Sequence, residues 1–135
     1  MKKENNGVQK VAVYCRIGNA SGEQSGFDLQ TQHYKNSIKN NPELELYAIY
    51  KDIGAGTSVK NRPQFREMIR DALDGNFNLI ITKSVSRFAR NTMDCLKCVR
   101  QLKEKGVAVY FEKEGINTLN DKDSVIFDIL AQFGG

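Results

Sequence analysis

The sequence has little of what several common architectures need. Cysteine is scarce and odd in number, with Cys15, Cys95 and Cys98 in 135 residues, which argues against a disulfide framework. Histidine occurs once, at His33. Cys95-Leu96-Lys97-Cys98 does spell C-x-x-C, but one His and one remote Cys are a poor remainder for four-coordinate zinc. A redox pair would open a helix after a strand, whereas this one sits inside a helix-like stretch in which Cys95 shares an apolar stripe with Val99 and Leu102. Both thiols are therefore expected to pack as small hydrophobes. Only 2 prolines, with 40% hydrophobic and 27% charged residues, exclude collagen-like, low-complexity and disordered chains. No apolar run approaches the roughly 18 residues of a membrane span. Met1 to Lys10 is polar, without the apolar core of a signal peptide. A cytoplasmic protein with no membrane partner is expected.

What is present alternates between two hydrophobic periods. Gln9 to Ile17 is rich in β-branched and aromatic residues and predicts a buried strand. Gly18 to Gly26 reads as a loop, and Phe27 to about Asn40 as a surface helix with Asp28 near its start. Leu44 to Lys51 predicts a second strand, and Asp52 to Asn61 a mobile loop of Gly, Thr and Ser. Arg62-Pro63 opens a helix in which Phe65, Met68, Ile69, Ala72 and Leu73 form one apolar stripe. Phe77 to Thr82 predicts a third strand. Ser84 to Asn91 joins it to a helix ending near Lys105, closed by Gly106. Val107 to Glu112 predicts a fourth strand. Val125, Ile126, Ile129, Leu130 and Phe133 mark a last amphipathic helix. At least four strands alternating with helices make an α/β domain with a mostly parallel sheet flanked by helices, and this length buries one ordinary core.

In such sheets ligands bind beyond the carboxyl ends of the strands. The excess of 20 Lys+Arg over 16 Asp+Glu, a net +4, is too small to name a partner. The position of the arginines says more. Arg16 falls near the end of the first strand, Arg62 beyond the loop after the second, and Arg87 with Arg90 just after the third. Four planar, permanently charged forks at one edge suit phosphate oxygens. Gly54 to Lys60 lacks the G-x-x-x-x-G-K-[ST] spacing of a nucleotide loop, and no G-x-G-x-x-G follows the first strand. For metal-dependent phosphoryl transfer the crevice offers mainly Asp52. Phosphoryl chemistry by electrostatics and a side-chain nucleophile remains.

Tyr14-Cys15-Arg16-Ile17, Leu29-Gln30-Thr31-Gln32, the run DIGAGTSVKNR over Asp52 to Arg62, KSVSRFARN over Lys83 to Asn91 and the late GVAVYFEKEGINT together resemble the serine recombinases. These are the resolvases, invertases and large transposon or phage integrases, and the large recombinases of mobile elements look nearest. The resemblance covers Val11 to about Gln132 and implies a resolvase-like catalytic domain. It implies attack of a serine hydroxyl on double-stranded DNA, a 5′-phosphoserine intermediate, and strand exchange in a tetramer assembled from dimers, without cofactor. It carries Arg16, Arg62, Arg87 and Arg90 over as the phosphate cluster. Asp52 and Gln32 carry over as polar partners that orient it, and Tyr14 as a support.

One position departs from the pattern: the family's serine, two residues after the strand arginine, is Gly18 here. Ser21 is the candidate replacement, and Ser25, Ser58, Ser84 and Ser86 are further serines near the motifs. The alternative is a degenerate domain that binds DNA or oligomerises without cutting. Residues 1–135 are expected to form the catalytic domain, with the family's long helical arm and separate DNA-binding domain absent from this chain.

Overall fold

A computed structural model describes residues 8–17, 23–53, 62–88, 92–122, 126 and 128, with 17, 23–28 and 92 described by their backbone alone. Strands β1 (Gln9–Ile17), β2 (Leu44–Ile53), β3 (Leu79–Thr82), β4 (Ala108–Phe111) and β5 (Ile116–Asn117) form one sheet in the order β2-β1-β3-β4-β5. The first four pair in parallel and β5 pairs antiparallel with β4. Central β1 is covered on both faces, which is why its VAV run needs no polar alternation: Val11, Ala12 and Val13 are fully buried.

Helix α1 (Glu23–Lys39) lies on one face, where Tyr34 and Ile38, one turn apart, pack against Val11, Val13, Cys15, Leu79 and Ala108. On the other face lie α2 (Pro63–Leu73), the short α3 (Val85–Phe88) and α4 (Thr92–Glu104). Phe65, Met68 and Ala72 from α2 and Cys95, Val99 and Leu102 from α4 meet Ala12, Tyr14, Ile80, Val109 and Phe111 there. The expected apolar stripe of α2 is therefore the one that packs, with Ile69 and Leu73 at its margin. Gly106 (φ 76°) ends α4 in a paired turn, its own N–H reaching Lys103 O and that of Val107 reaching Leu102 O, each at 2.9 Å.

The mostly parallel α/β sheet is as the sequence implies, but several boundaries differ. Helix α1 begins at Glu23, within the stretch expected to be loop. An internal Gly26 costs a helix only about 1 kcal/mol, and a 17-residue element absorbs that. Strand β2 continues to Ile53, taking Asp52 out of the expected loop, while β3 and β4 are shorter than expected. The two-residue β5 has too little length for a period to show. Of the expected last helix, Ile126 is buried in the core; Val125, Ile129, Leu130 and Phe133 lie outside the described residues. Among the described residues no helix is long and apolar enough to cross a membrane.

Candidate active site

In this strand order the chain leaves β1 toward β2 on one side and returns to β3 on the other, so a crevice opens beyond the carboxyl ends of β1 and β3. Arg16 is the penultimate residue of β1 and Arg87 lies five residues past β3. What stands opposite Arg16 is set by an irregularity. Val11 pairs with Leu46 but Ala12 pairs with Ala48, so Tyr47 is an extra residue on β2. Beyond the bulge, Tyr14 faces Tyr50 and Arg16 faces Asp52. An unbroken register would set Lys51 opposite Arg16, a like charge in place of a carboxylate.

Asp52 is buried and its two oxygens are fully engaged. Oδ2 accepts from the Tyr14 hydroxyl at 2.8 Å and from Phe65 N–H at 2.9 Å, and Oδ1 accepts from Gln64 N–H at 3.0 Å. These amides belong to the first turn of α2, whose N-cap residue, Arg62, makes no side-chain cap. The cap thus comes from the end of β2, where a negative charge also complements the helix dipole. Burial, then the hydrogen bond to Asp52, pushes the Tyr14 hydroxyl well above the usual tyrosine range. Thr82 Oγ1, fully buried, donates to Tyr14 O at 3.2 Å and ties β3 to the same place.

Freed from capping, the Arg62 side chain runs inward and is only 2% exposed. A buried guanidinium is costly unless satisfied. Its Nη1 donates to Phe88 O at 2.8 Å and Arg87 O at 3.3 Å, and its plane lies 4.0 Å from the centre of the Phe65 ring. Arg62 Nε is buried without a hydrogen-bond partner among the described residues.

Arg16 and Arg87 meet on the same turn. Arg16 Nε donates to Arg87 O at 3.2 Å and Nη2 to Ser86 O at 2.7 Å, while Arg87 Nη1 donates to Arg16 O at 2.8 Å. Burial first, then repulsion from Arg62, lowers the pKa of Arg16, and Arg87 adds to the effect. Three guanidinium groups thus converge beside one carboxylate, held mainly by the carbonyls of residues 86–88. The hydroxyls of Ser84 and Ser86 lie 3.0 Å apart in that turn, Ser84 buried and Ser86 exposed.

The structure brings together Tyr14, Arg16, Asp52, Arg62 and Arg87. Gln32 stands exposed on α1, where its amide nitrogen donates to Asn36 Oδ1 at 3.0 Å within the same helix. Gly18, Ser21, Ser58, Arg90 and the Gly54 to Lys60 loop lie outside the described residues, and Ser25 belongs to α1. Cys95 packs in the core with Cys98 at its edge, and burial pushes both thiols up to about 12. Among the described residues no group of His, Cys, Asp and Glu is arranged to hold a metal.

Sequence reasoning missed the aromatic bed of Arg62, made of Phe65 with Phe88 edge-on to it at 5.1 Å. It also missed the capping role of Asp52. A signal for the second existed: a helix opening at Pro63 behind an arginine has no acceptor of its own.

Comparison with known proteins places the fold and the family. The fold matches the N-terminal catalytic domain of TP901-1 integrase with a TM-score of 0.73 and 21% identity, covering 93% of each chain. A resolvase family site-specific recombinase from Streptococcus pneumoniae matches with a TM-score of 0.72 and 26% identity, over 93% of this chain and 85% of that one. The family model of the resolvase N-terminal domain matches residues 11–134, and the chain belongs to that family. The Tn3 resolvase of Escherichia coli is 26% identical over 123 residues, 90% of this chain and 60% of its own. The Tn21 resolvase of Escherichia coli is 29% identical over 104 residues, 73% of this chain and 54% of its own. The chain thus spans little more than half the length of these relatives.

Proposed function

We propose that this chain is the catalytic domain of a site-specific DNA recombinase, and that its arginine cluster holds the phosphate at which a DNA strand is broken. The observation that carries the reading is the convergence of Arg16, Arg62 and Arg87 on the turn after β3, at the sheet edge where ligands of such folds bind. In phosphoryl transfer negative charge spreads over the equatorial oxygens, and fixed guanidinium groups stabilise that charge without reorganising. Arg90, three residues after Arg87, joins them, and Tyr14 and Asp52 orient the cluster.

Ser21 supplies the nucleophile in place of Gly18. Its hydroxyl oxygen attacks phosphorus as it loses its proton; the bond from phosphorus to the 3′ oxygen breaks, and that oxygen takes a proton and leaves as a hydroxyl. The 5′-phosphate stays esterified to the serine, and the reverse attack by a 3′-hydroxyl restores the strand and frees the serine. No cofactor enters this balance. Double-stranded DNA is the partner, and copies of the protein associate as dimers and then as a synaptic tetramer.

A second reading rests on Gly18, which has no side chain to attack with: a domain that binds DNA or assembles without cutting. Incubation with recombination-site DNA followed by denaturation separates the two. The first predicts a covalent adduct that maps to Ser21, is lost in Ser21→Ala and is lost in Arg87→Ala or Arg90→Ala while both arginine variants stay folded. DNA binding without any adduct would favour the second.

A further inference from the structure

We infer that Glu114 is a positioning residue for the arginine cluster. Its functional consequence rests on the phosphate-binding reading above, but its structural content does not. Glu114 lies in the turn between β4 and β5, next to Gly115, whose φ of 68° closes that turn with a 2.8 Å bond from its N–H to Phe111 O. Glu114 Oε1 accepts from Val85 N–H at 3.2 Å. Val85 is the first residue of α3, where an amide has no acceptor within its own helix.

This bond reaches the segment that holds the arginines. With only four residues, α3 has little cohesion of its own; its described internal tie runs from Arg87 N–H to Ser84 O at 3.1 Å. The β4 side clamps the same segment through Glu112 N–H to Thr82 O at 3.0 Å and Lys113 N–H to Lys83 O at 2.8 Å. Glu114 is the side-chain member of this clamp and the one that engages α3 itself. The carbonyls of Ser86, Arg87 and Phe88, which receive Arg16 and Arg62, follow within three residues. A shift of α3 therefore moves two guanidinium groups at once.

A second observation sets Glu114 apart from an ordinary surface acid. Its Oε2 is buried and has no hydrogen-bond partner among the described residues. Its charge reaches the core, where it adds to the upward push on the Cys95 thiol. An unsatisfied buried acceptor works against stability, so the carboxylate is held there at a cost.

The test follows amide exchange and arginine side-chain signals by NMR, with duplex DNA as the probe. In the unaltered protein Val85 N–H exchanges roughly tenfold or more slowly than an unprotected amide. Glu114→Ala removes that protection and moves the Nε–Hε signals of Arg16 and Arg62 in the absence of DNA. It also weakens duplex binding, by up to roughly tenfold, the full value of one charge-assisted hydrogen bond. Glu114→Gln keeps an oxygen acceptor and restores the signals and the binding, which a generally destabilising change would not do. Should Glu114→Ala fail to fold, Glu114→Asp, one methylene short of Val85, is expected to show the same shifts. An unprotected Val85 amide in the parent protein, or arginine signals indifferent to Glu114→Ala, overturns the inference. Failure of the parent protein to bind DNA would instead sink the phosphate reading, with the arginine signals still deciding the role of Glu114.

Discussion

Arg16 and Arg87 grip each other's backbone: Arg16 Nε donates to the Arg87 carbonyl and Arg87 Nη1 donates to the Arg16 carbonyl, at 3.2 and 2.8 Å. Two like charges are held close by neutral acceptors; burial first, then repulsion from Arg62 and in smaller part from Arg87, lowers the pKa of Arg16. An anion between them relieves that repulsion. Inorganic phosphate or sulfate is therefore expected to raise the thermal midpoint as its concentration rises, following RT ln(1 + [L]/Kd). Chloride at equal ionic strength gives a smaller rise, and Arg87→Ala removes the difference. Equal responses of parent and variant in a thermal scan would show that the cluster takes no anion.

Asp52 joins three groups: the Tyr14 hydroxyl and the amides of Gln64 and Phe65. Asp52→Ala leaves them unsatisfied and uncaps α2, for an expected loss of about 3 kcal/mol in urea unfolding. Asp52→Asn keeps one oxygen and loses less. A midpoint unchanged in Asp52→Ala would contradict the assigned bonds.

Stability should fall in alkali, and the sign follows from where protons are held. Burial raises Cys15 to about 11 from an ordinary 9.0, and Cys95 and Cys98 to about 12. Tyr14, Tyr34 and Tyr50 are raised above their ordinary 10.0 by burial and by hydrogen bonds to Asp52, Glu112 and Asp71. Above pH 9 the unfolded chain releases protons that the folded one keeps, so unfolding becomes easier as pH rises. Urea midpoints are expected to be level with respect to these groups below pH 9 and to decline from there to pH 12. Tyr14→Phe should decline less steeply above pH 10. A flat profile over that range would be inconsistent with the buried thiols and hydroxyls.

The bulge at Tyr47 makes a sharper claim than any single side chain. Deleting Tyr47 takes out the unpaired residue and leaves an even ladder between β1 and β2 in which Ala48 follows Leu46 and Arg16 still faces Asp52. The deletion is therefore expected to cost little more stability than Tyr47→Ala, which removes the half-exposed ring packed against Phe77. An unfolding midpoint far below that of Tyr47→Ala would mean that Tyr47 is not the extra residue of this ladder.

The elements that carry this site differed in how plainly they could be read. The bounds of β1 were legible because a run such as QKVAVYCRI suits a strand covered on both faces and little else. The placement of Arg16, Arg62 and Arg87 at one edge was legible from the alternation of strands and helices, since parallel connections return every carboxyl end to the same side. The neighbour of Arg16 was not, because a one-residue bulge leaves no mark on a strand such as LELYAIYKDI. The inward course of Arg62 was hidden as well: an arginine before a proline reads as a helix entry, and only the tertiary position of Asp52 frees it from capping.

The central claim is that Arg16, Arg62 and Arg87 together hold a DNA phosphate. It is tested most directly by titrating a short duplex DNA with the parent protein and with Arg87→Ala over a series of salt concentrations. Removing one cation from a phosphate lowers the dependence of log K on log salt by about one. Arg87→Ala is predicted to bind more weakly at every salt concentration, with a slope shallower by about one. Superimposable titrations of the two proteins would contradict the claim.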